Sequence, residues 1–216
     1  MRALSFIVFI HQLQCEYQVL LMMETVTDQE LLRSAQQGHE ASFVLIYEQH
    51  RDAIFRFTYR MLGSVEAAED VTHDCFLSLV KGAQRFNPAR ASLRNYIYGV
   101  ARNLSLKYLH NSYKLQPFDE AEQGTLLPGL VGPLTVLLRK ELVRQIGDAI
   151  SSLPPLQREV VILFEFEELC LTDIASIVEA DVGAVKSRLY RARGRLRRSL
   201  TLYLTSDFEK ASTKRN

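Results

Sequence analysis

The sequence predicts an all-α chain: two small helical domains joined by a flexible linker, the C-terminal one ending in a helix-turn-helix. Three observations predict it. The 216 residues include only 10 Gly and 6 Pro, too few for a turn-rich sandwich or barrel. Apolar residues recur at intervals of three and four through most of the chain, with no convincing period of two. One segment rich in Pro and Gly interrupts that spacing near the middle. With 47% hydrophobic and 24% charged residues, the balance is that of a globular protein, not of a disordered chain, a collagen-like fibre or a polytopic membrane protein.

The N-terminus opens with an apolar run, Ala3 to Ile10. His11, Gln12, Gln14 and Glu16 interrupt it too early for a membrane span, which needs about 20 residues, and no small-residue cleavage pattern comes after it. Met22 and Met23 precede the first clear helix start. Residues 1–25 are therefore expected to be an N-terminal extension, either disordered or upstream of the true start, without membrane insertion.

Residues 26–112 read as the first domain. Thr27 and Glu30 form a capping box, each side chain meeting the other's backbone N–H, and the helix they open stops near Gly38. The next helix, about 40–62, carries Phe43, Ile46, Tyr47, Ile54, Phe57 and Met61 on one face. Gly63 stops it and Ser64 caps a third, with Ala68, Val71, Cys75, Phe76 and Leu79 inward. After a polar loop containing Asn87 and Pro88, Ser92 opens a fourth helix with Leu93, Ile97, Ala101, Leu104 and Tyr108 inward. Four helices on short connections make a compact α domain.

Residues 113–133 read as the linker, punctuated by Pro117, Gly124, Pro128, Gly129, Gly132 and Pro133. Its Leu126, Leu127, Leu130 and Val131 suggest that it lies along a partner surface. Residues 134–203 read as the second domain and 204–216 as a tail. Leu138, Leu142, Ile146 and Ile150 mark its first helix, and a second comes after Pro154-Pro155. The last two, about 171–179 and 183–202, flank the break Ala180-Asp181-Val182, which has the length of a helix-turn-helix corner.

The chain carries 26 Lys and Arg against 25 Asp and Glu, but Lys186, Arg188, Arg191, Arg193, Arg195, Arg197 and Arg198 form a run with no acid among them. On that helix Val182, Val185, Leu189, Ala192 and Leu196 form the inward stripe. Lys186, Ser187, Tyr190 and Arg191 lie opposite, with Arg188 and Arg195 on the flanks. Polar side chains in the first turns of such a helix reach base edges in the major groove, while Arg193 to Arg198 suit phosphate neutralisation. Cys15, Cys75 and Cys170 are too scattered for a disulfide framework or a zinc site. No phosphate loop, metal cluster or nucleophile motif is readable, so neither a cofactor nor an enzymatic activity is expected.

Three stretches carry a family resemblance. They are Leu153-Pro154-Pro155-Leu156-Gln157-Arg158-Glu159-Val160-Val161, Asp173-Ile174-Ala175, and Val182 to Arg193 (VGAVKSRLYRAR). They resemble the C-terminal domain of bacterial RNA polymerase sigma factors of the extracytoplasmic-function (ECF) type, within the sigma-70 superfamily. Ala68-Glu69-Asp70-Val71 with Phe76-Leu77, and Ala101-Arg102-Asn103, resemble that family's N-terminal domain. The resemblance covers about residues 26–112 and 134–203, with both sets in the right order.

The resemblance implies a dissociable, non-catalytic subunit of RNA polymerase. It would bind the core enzyme, read the minus-thirty-five promoter element with its second domain, and read and melt the minus-ten element with its first. An anti-sigma factor is a further implied partner. Lys186, Ser187, Arg188, Tyr190 and Arg191 fall where the family contacts the upstream element. Asp70, His73 and Asp74 fall where it docks on the polymerase. Arg94, Asn95, Tyr98 and Arg102, opposite the core stripe of the fourth helix, join the loop residues Asn87 and Arg90 as candidates for holding the melted strand.

Several positions depart from the family pattern. Tyr96 replaces the usual Trp and is read as packing; His73 replaces the usual Gln; Ala184 replaces the usual Thr. Glu168 stands where Gly is common, a cost if the backbone there is left-handed. Cys170 replaces a Ser at a helix start and is a poor cap. The alternative reading is an autonomous helix-turn-helix regulator binding an operator as a dimer, although residues 26–112 carry no signature of a sensing pocket. A decoy that binds polymerase without reading DNA is disfavoured by Lys186, Arg188 and Arg191.

Overall fold

The computed structural model describes residues 27–82, 86–87, 89, 91–115 and 133–213, with side chains placed to Ser112 in the first half and from Glu141 to Thr201 in the second. The expected extension, most of the expected linker and Arg90 lie outside the described residues. Among the described residues the α-helices are α1 (Asp28–Gln36), α2 (Glu40–Leu62), α3 (Val65–Gly82), α4 (Leu93–Leu115), α5 (Pro133–Ser151), α6 (Pro155–Val161), α7 (Leu171–Ile177) and α8 (Val182–Thr213). A π-turn, Ile162–Phe166, extends α6. No strand occurs among the described residues.

The helix boundaries follow local chemistry. At α1, Thr27 Oγ1 accepts from the Glu30 N–H at 3.3 Å, and Glu30 Oε2 accepts from the Thr27 N–H at 3.0 Å, closing the capping box. That second hydrogen bond holds the Glu30 carboxyl below its ordinary range. Gly38 (φ +90°) and Gly63 (φ +77°) take left-handed backbone after α1 and α2, where a Cβ is disfavoured. Ser64 and Ser92 cap α3 and α4 through Ala67 N–H at 3.3 Å and Asn95 N–H at 3.2 Å. Asp181 Oδ1 accepts from the Ala184 N–H at 2.8 Å and caps α8.

Two helices exceed their expected lengths. α5 starts at Pro133, five residues before the apolar stripe, because Pro lacks only an N–H that a first-turn residue leaves unused. α8 runs to Thr213, through the expected tail, because nothing after Gly194 breaks it.

The described residues divide into a short unit ending at Ile46 and a larger one starting at Tyr47. Within the larger unit, Ile54, Phe57 and Met61 of α2 are buried, as are Ala68, Val71, Cys75, Phe76 and Leu79 of α3 and Leu93, Ile97 and Ala101 of α4. Each such large side chain removed from water contributes about 1.5–3 kcal/mol. Phe57 meets Tyr98 edge-on at 5.6 Å between centroids. Burial pushes the Cys75 thiol up to about 12, so it stays protonated. Tyr108, expected inward, is exposed, because α4 continues past the helices that cover its first turns.

The second group builds its own core from Val160 to Leu163, Ile174, Ile177, Val178, Val185, Leu189 and Ala192. α5, α6 and α7 all pack on α8. Leu142, also expected inward, is exposed. No sequence pattern signals the π-turn. Its closing Glu167 N–H donates to the Ile162 carbonyl at 3.1 Å, five residues back, and such a wide turn shifts the register of the residues after it.

The two helical groups are not held apart. α4 packs on α7, so residues on both sides of the expected linker share one compact unit.

Glu168 takes φ +54°, the strained conformation that its replacement of Gly made costly. Cys170 is the N-cap of α7 without a capping hydrogen bond. Glu168→Gly is expected to stabilise the chain by about 1 kcal/mol, measured by chemical denaturation; no gain would mean that the site is unstrained. In the native chain iodoacetamide should alkylate exposed Cys170 and spare buried Cys75, read by peptide mass spectrometry.

Candidate nucleic-acid interface

α7 and α8 meet through a tight corner. Val178 ends α7, Glu179 turns the chain at φ +51°, and Asp181 starts α8. Ile174, Ile177, Val185, Leu189 and Ala192 seal the inner faces. This fixes the opposite face of α8 outward. Lys186, Ser187, Tyr190, Arg191 and Arg195 are exposed, Tyr190 by 82%. An aromatic ring held that far into water gains nothing from the fold. Arg191 is oriented by its own helix, with Nε donating to the Ser187 carbonyl at 3.2 Å and Nη2 to Ser187 Oγ at 3.1 Å.

Two cations of the run lean differently. Arg188 turns inward and pairs with Glu159 at 3.3 Å. Arg193 pairs with Glu165 of the π-turn at 2.6 Å and lies 5.2 Å from the Phe164 ring. The acids absent from the cationic run thus arrive from α6 and the π-turn. Both partners of the Arg193–Glu165 pair are exposed.

On α3, Asp70, His73 and Asp74 are exposed and occupy one face at spacings of three and four. Asn87 is exposed and its Oδ1 accepts from the Ala89 N–H at 3.0 Å. Tyr96 tilts against Phe86 at 5.4 Å. The α4 candidates form a different environment. Their spacing predicts an open face; instead they line the seam with α6, the π-turn and α7. Asn95 and Tyr98 are buried, Tyr98 to 1%. Asn95 Nδ2 donates to Asp173 Oδ1 at 2.7 Å, and Tyr98 Oη to Glu167 Oε2 at 2.8 Å. Arg94 Nη2 donates to the Glu167 carbonyl at 3.2 Å. Arg102 grips Glu159 through Nε at 2.8 Å and Nη2 at 3.3 Å. Arg60 of α2 adds a 3.3 Å pair to Glu167 and stacks 4.5 Å from the Phe166 ring.

The electrostatics follow from burial and pairing. Glu159 is fully buried. Burial pushes its carboxyl above the ordinary range, against the pull of Arg102 and Arg188. Burial and the neighbouring Glu167 push the Tyr98 phenol up, keeping it a donor. Hydrogen bonds from Cys170 and Asn95 hold Asp173 below the ordinary range. Sequence reasoning misses Glu159, Glu167 and Asp173 as functional candidates. The signal is faint: acids at positions whose helical phase points inward. Among the described residues no cluster of His, Cys, Asp and Glu can hold a metal, and no helix is long and apolar enough to cross a membrane.

Removing Glu159 leaves two guanidiniums at the seam without their shared acceptor. Glu159→Ala should cost about 3 kcal/mol or more. Glu165→Ala, which breaks an exposed pair, should cost less than about 1 kcal/mol. Equal losses in urea titration would show that burial does not set the difference.

Comparison with known proteins agrees with this architecture. Residues 46–113 match the family Sigma-70 region 2, and residues 143–196 match Sigma-70, region 4. Together they span more than half of the chain. The ECF RNA polymerase sigma factor SigW of Bacillus subtilis is 28% identical over 177 residues, covering 78% of this chain and 94% of its own. The ECF RNA polymerase sigma-E factor of Haemophilus influenzae is 29% identical over 180 residues, covering 80% and 94%. Two solved structures share the fold. CnrH, in complex with the cytosolic domain of CnrY, superposes with a TM-score of 0.60 at 20% identity, covering 81% of this chain and 97% of that one. RpoE from Bartonella quintana, in complex with the anti-sigma factor NepR, gives 0.60 at 22%, covering 74% and 96%. With region 2 and region 4 matched in order and ECF relatives aligned across most of their length, the chain belongs to the extracytoplasmic-function sigma factors of the sigma-70 superfamily.

Proposed function

We propose that the chain is a dissociable sigma subunit that directs bacterial RNA polymerase core enzyme to a limited set of promoters and initiates their melting. The observation that carries this reading is the exposed polar face in the first turns of α8, Lys186, Ser187, Tyr190 and Arg191, behind a helix-turn-helix corner and in one chain with a region 2 match. Residues 134–203 then read the minus-thirty-five element, with Arg188 and Arg195 flanking the contact. Residues 26–112 bind the core enzyme through Asp70, His73 and Asp74. They hold the melted minus-ten strand through Asn87, Arg90, Arg94, Asn95, Tyr98 and Arg102. Residues 113–133 connect the two. Sigma action needs no bond chemistry in this chain, since the polymerase makes the phosphodiester and the sigma contributes recognition. An anti-sigma factor is a natural partner, because the structural neighbour RpoE is solved in a complex of that kind.

Run-off transcription with core polymerase tests the reading. The chain should direct initiation only when core is present and should bind promoter duplex weakly by itself. Tight, specific gel shifts without polymerase would instead indicate an operator-binding regulator. Arg191→Ala should weaken discrimination at the upstream element by about 1–3 kcal/mol while core binding is retained; loss of core binding would show that the face is misassigned.

A further inference from the structure

We infer that Asp181 is a base-reading residue: its carboxylate accepts from the N4 amino group of a cytosine in the upstream promoter element, adding one base pair to those read by Lys186 and Arg191. The inference rests on the sigma reading above and concerns which sequence that surface selects.

Asp181 is exposed at the start of α8, the end of a recognition helix whose residues approach base edges in the major groove. It is the only polar side chain between Glu179 and Lys186. The first turn of α8 therefore reads bases through this carboxylate or through no side chain. Asp181 precedes Lys186 by five residues, about 7.5 Å along the helix axis. That exceeds the step of about 3.4 Å between base pairs, so the two side chains address different pairs. Oδ1 accepts from the Ala184 N–H at 2.8 Å, which fixes the carboxylate over the helix end and leaves Oδ2 for a donor from outside. Gly183 makes room for this placement, since a Cβ there would come within 2.9 Å of Oδ1.

The hydrogen bond at the cap does not require the charge. Asn and Ser cap as well as Asp, without setting a negative group against a polyanion. The acids beside the cationic run are paired, Glu159 with Arg188 and Glu165 with Arg193. Among the described residues no cation pairs with Asp181. The helix dipole favours a carboxylate at this end, and DNA phosphates disfavour it unless it meets a donor. Among base edges it finds one at cytosine N4. Guanine O6 and N7 and thymine O4 offer only acceptors, and the adenine N6 donor is flanked by the N7 acceptor. Cytosine is the base that this charge selects.

The test uses the full chain assembled with core polymerase, unaltered and as Asp181→Asn and Asp181→Ser, both of which can still cap α8. Each holoenzyme selects from duplex DNA with a randomised upstream element, and the retained duplexes are sequenced. The unaltered chain is expected to enrich cytosine about tenfold at one base pair. Asp181→Asn should change that preference to adenine, whose N6 and N7 match a carboxamide. Asp181→Ser should abolish it, and the remaining pairs should be unchanged in both variants. The same sequence selected by all three chains, or changes spread over the whole element, overturns the inference and leaves Asp181 as a cap alone. Circular dichroism and thermal melting check that the variants fold; should one fail, the other is read by the same criterion. Run-off transcription from the selected duplexes separates the two conclusions. Core-dependent initiation by the unaltered chain, with the same sequence selected by the variants, removes the role of Asp181 and keeps the sigma reading. Absence of core-dependent initiation removes the sigma reading and this inference with it.

Discussion

Glu159 has no contact with water, and a carboxylate in that position is tolerated only if other groups replace its hydration. Two guanidiniums do so, Arg102 from α4 and Arg188 from α8. The arrangement constrains everything around it. α6 must present the carboxylate at the meeting point of three helices. α4 must lie close enough for a two-nitrogen grip. α8 must give one of its cations to the interior. Arg158, the preceding residue, reinforces the same junction by donating to the Met61 carbonyl of α2 and to the Leu153 carbonyl within its own half.

The π-turn after α6 governs the remainder of the seam. An α-helix continuing through residues 162–166 would place Glu165, Phe166 and Glu167 at other angles. The wider turn sends Glu165 outward to Arg193 and Phe166 under Arg60, and turns Glu167 inward to Arg60 and Tyr98. It ends in left-handed Glu168, a second local cost. Both features lie next to the interhelical contacts that depend on them, the pattern expected where local strain is offset by tertiary bonds.

Two kinds of surface therefore coexist. The apolar cores are specific to each helical group and hold it together. The seam carries polar bonds to Glu159, Glu167 and Asp173.

Much of the architecture was legible in the chain. Capping residues Thr27, Ser64 and Ser92, and the turn glycines Gly38 and Gly63, act through their nearest backbone neighbours, so local spacing suffices to place them. The inward stripes of α3 and α8 follow from helical phase alone, and with them the outward face of Lys186, Tyr190 and Arg191. The status of Arg94, Asn95, Tyr98 and Arg102 was not legible, since their spacing is that of an open polar face whether or not acids lie across from it. Those acids come from residues 57 to 78 positions further along the chain. Their approach depends on a one-residue widening of α6 that no propensity encodes. Local sequence thus determined which helices form and which faces they offer; tertiary structure decided which faces meet, because charge pairing across a seam is a property of three-dimensional distance and not of spacing along the chain.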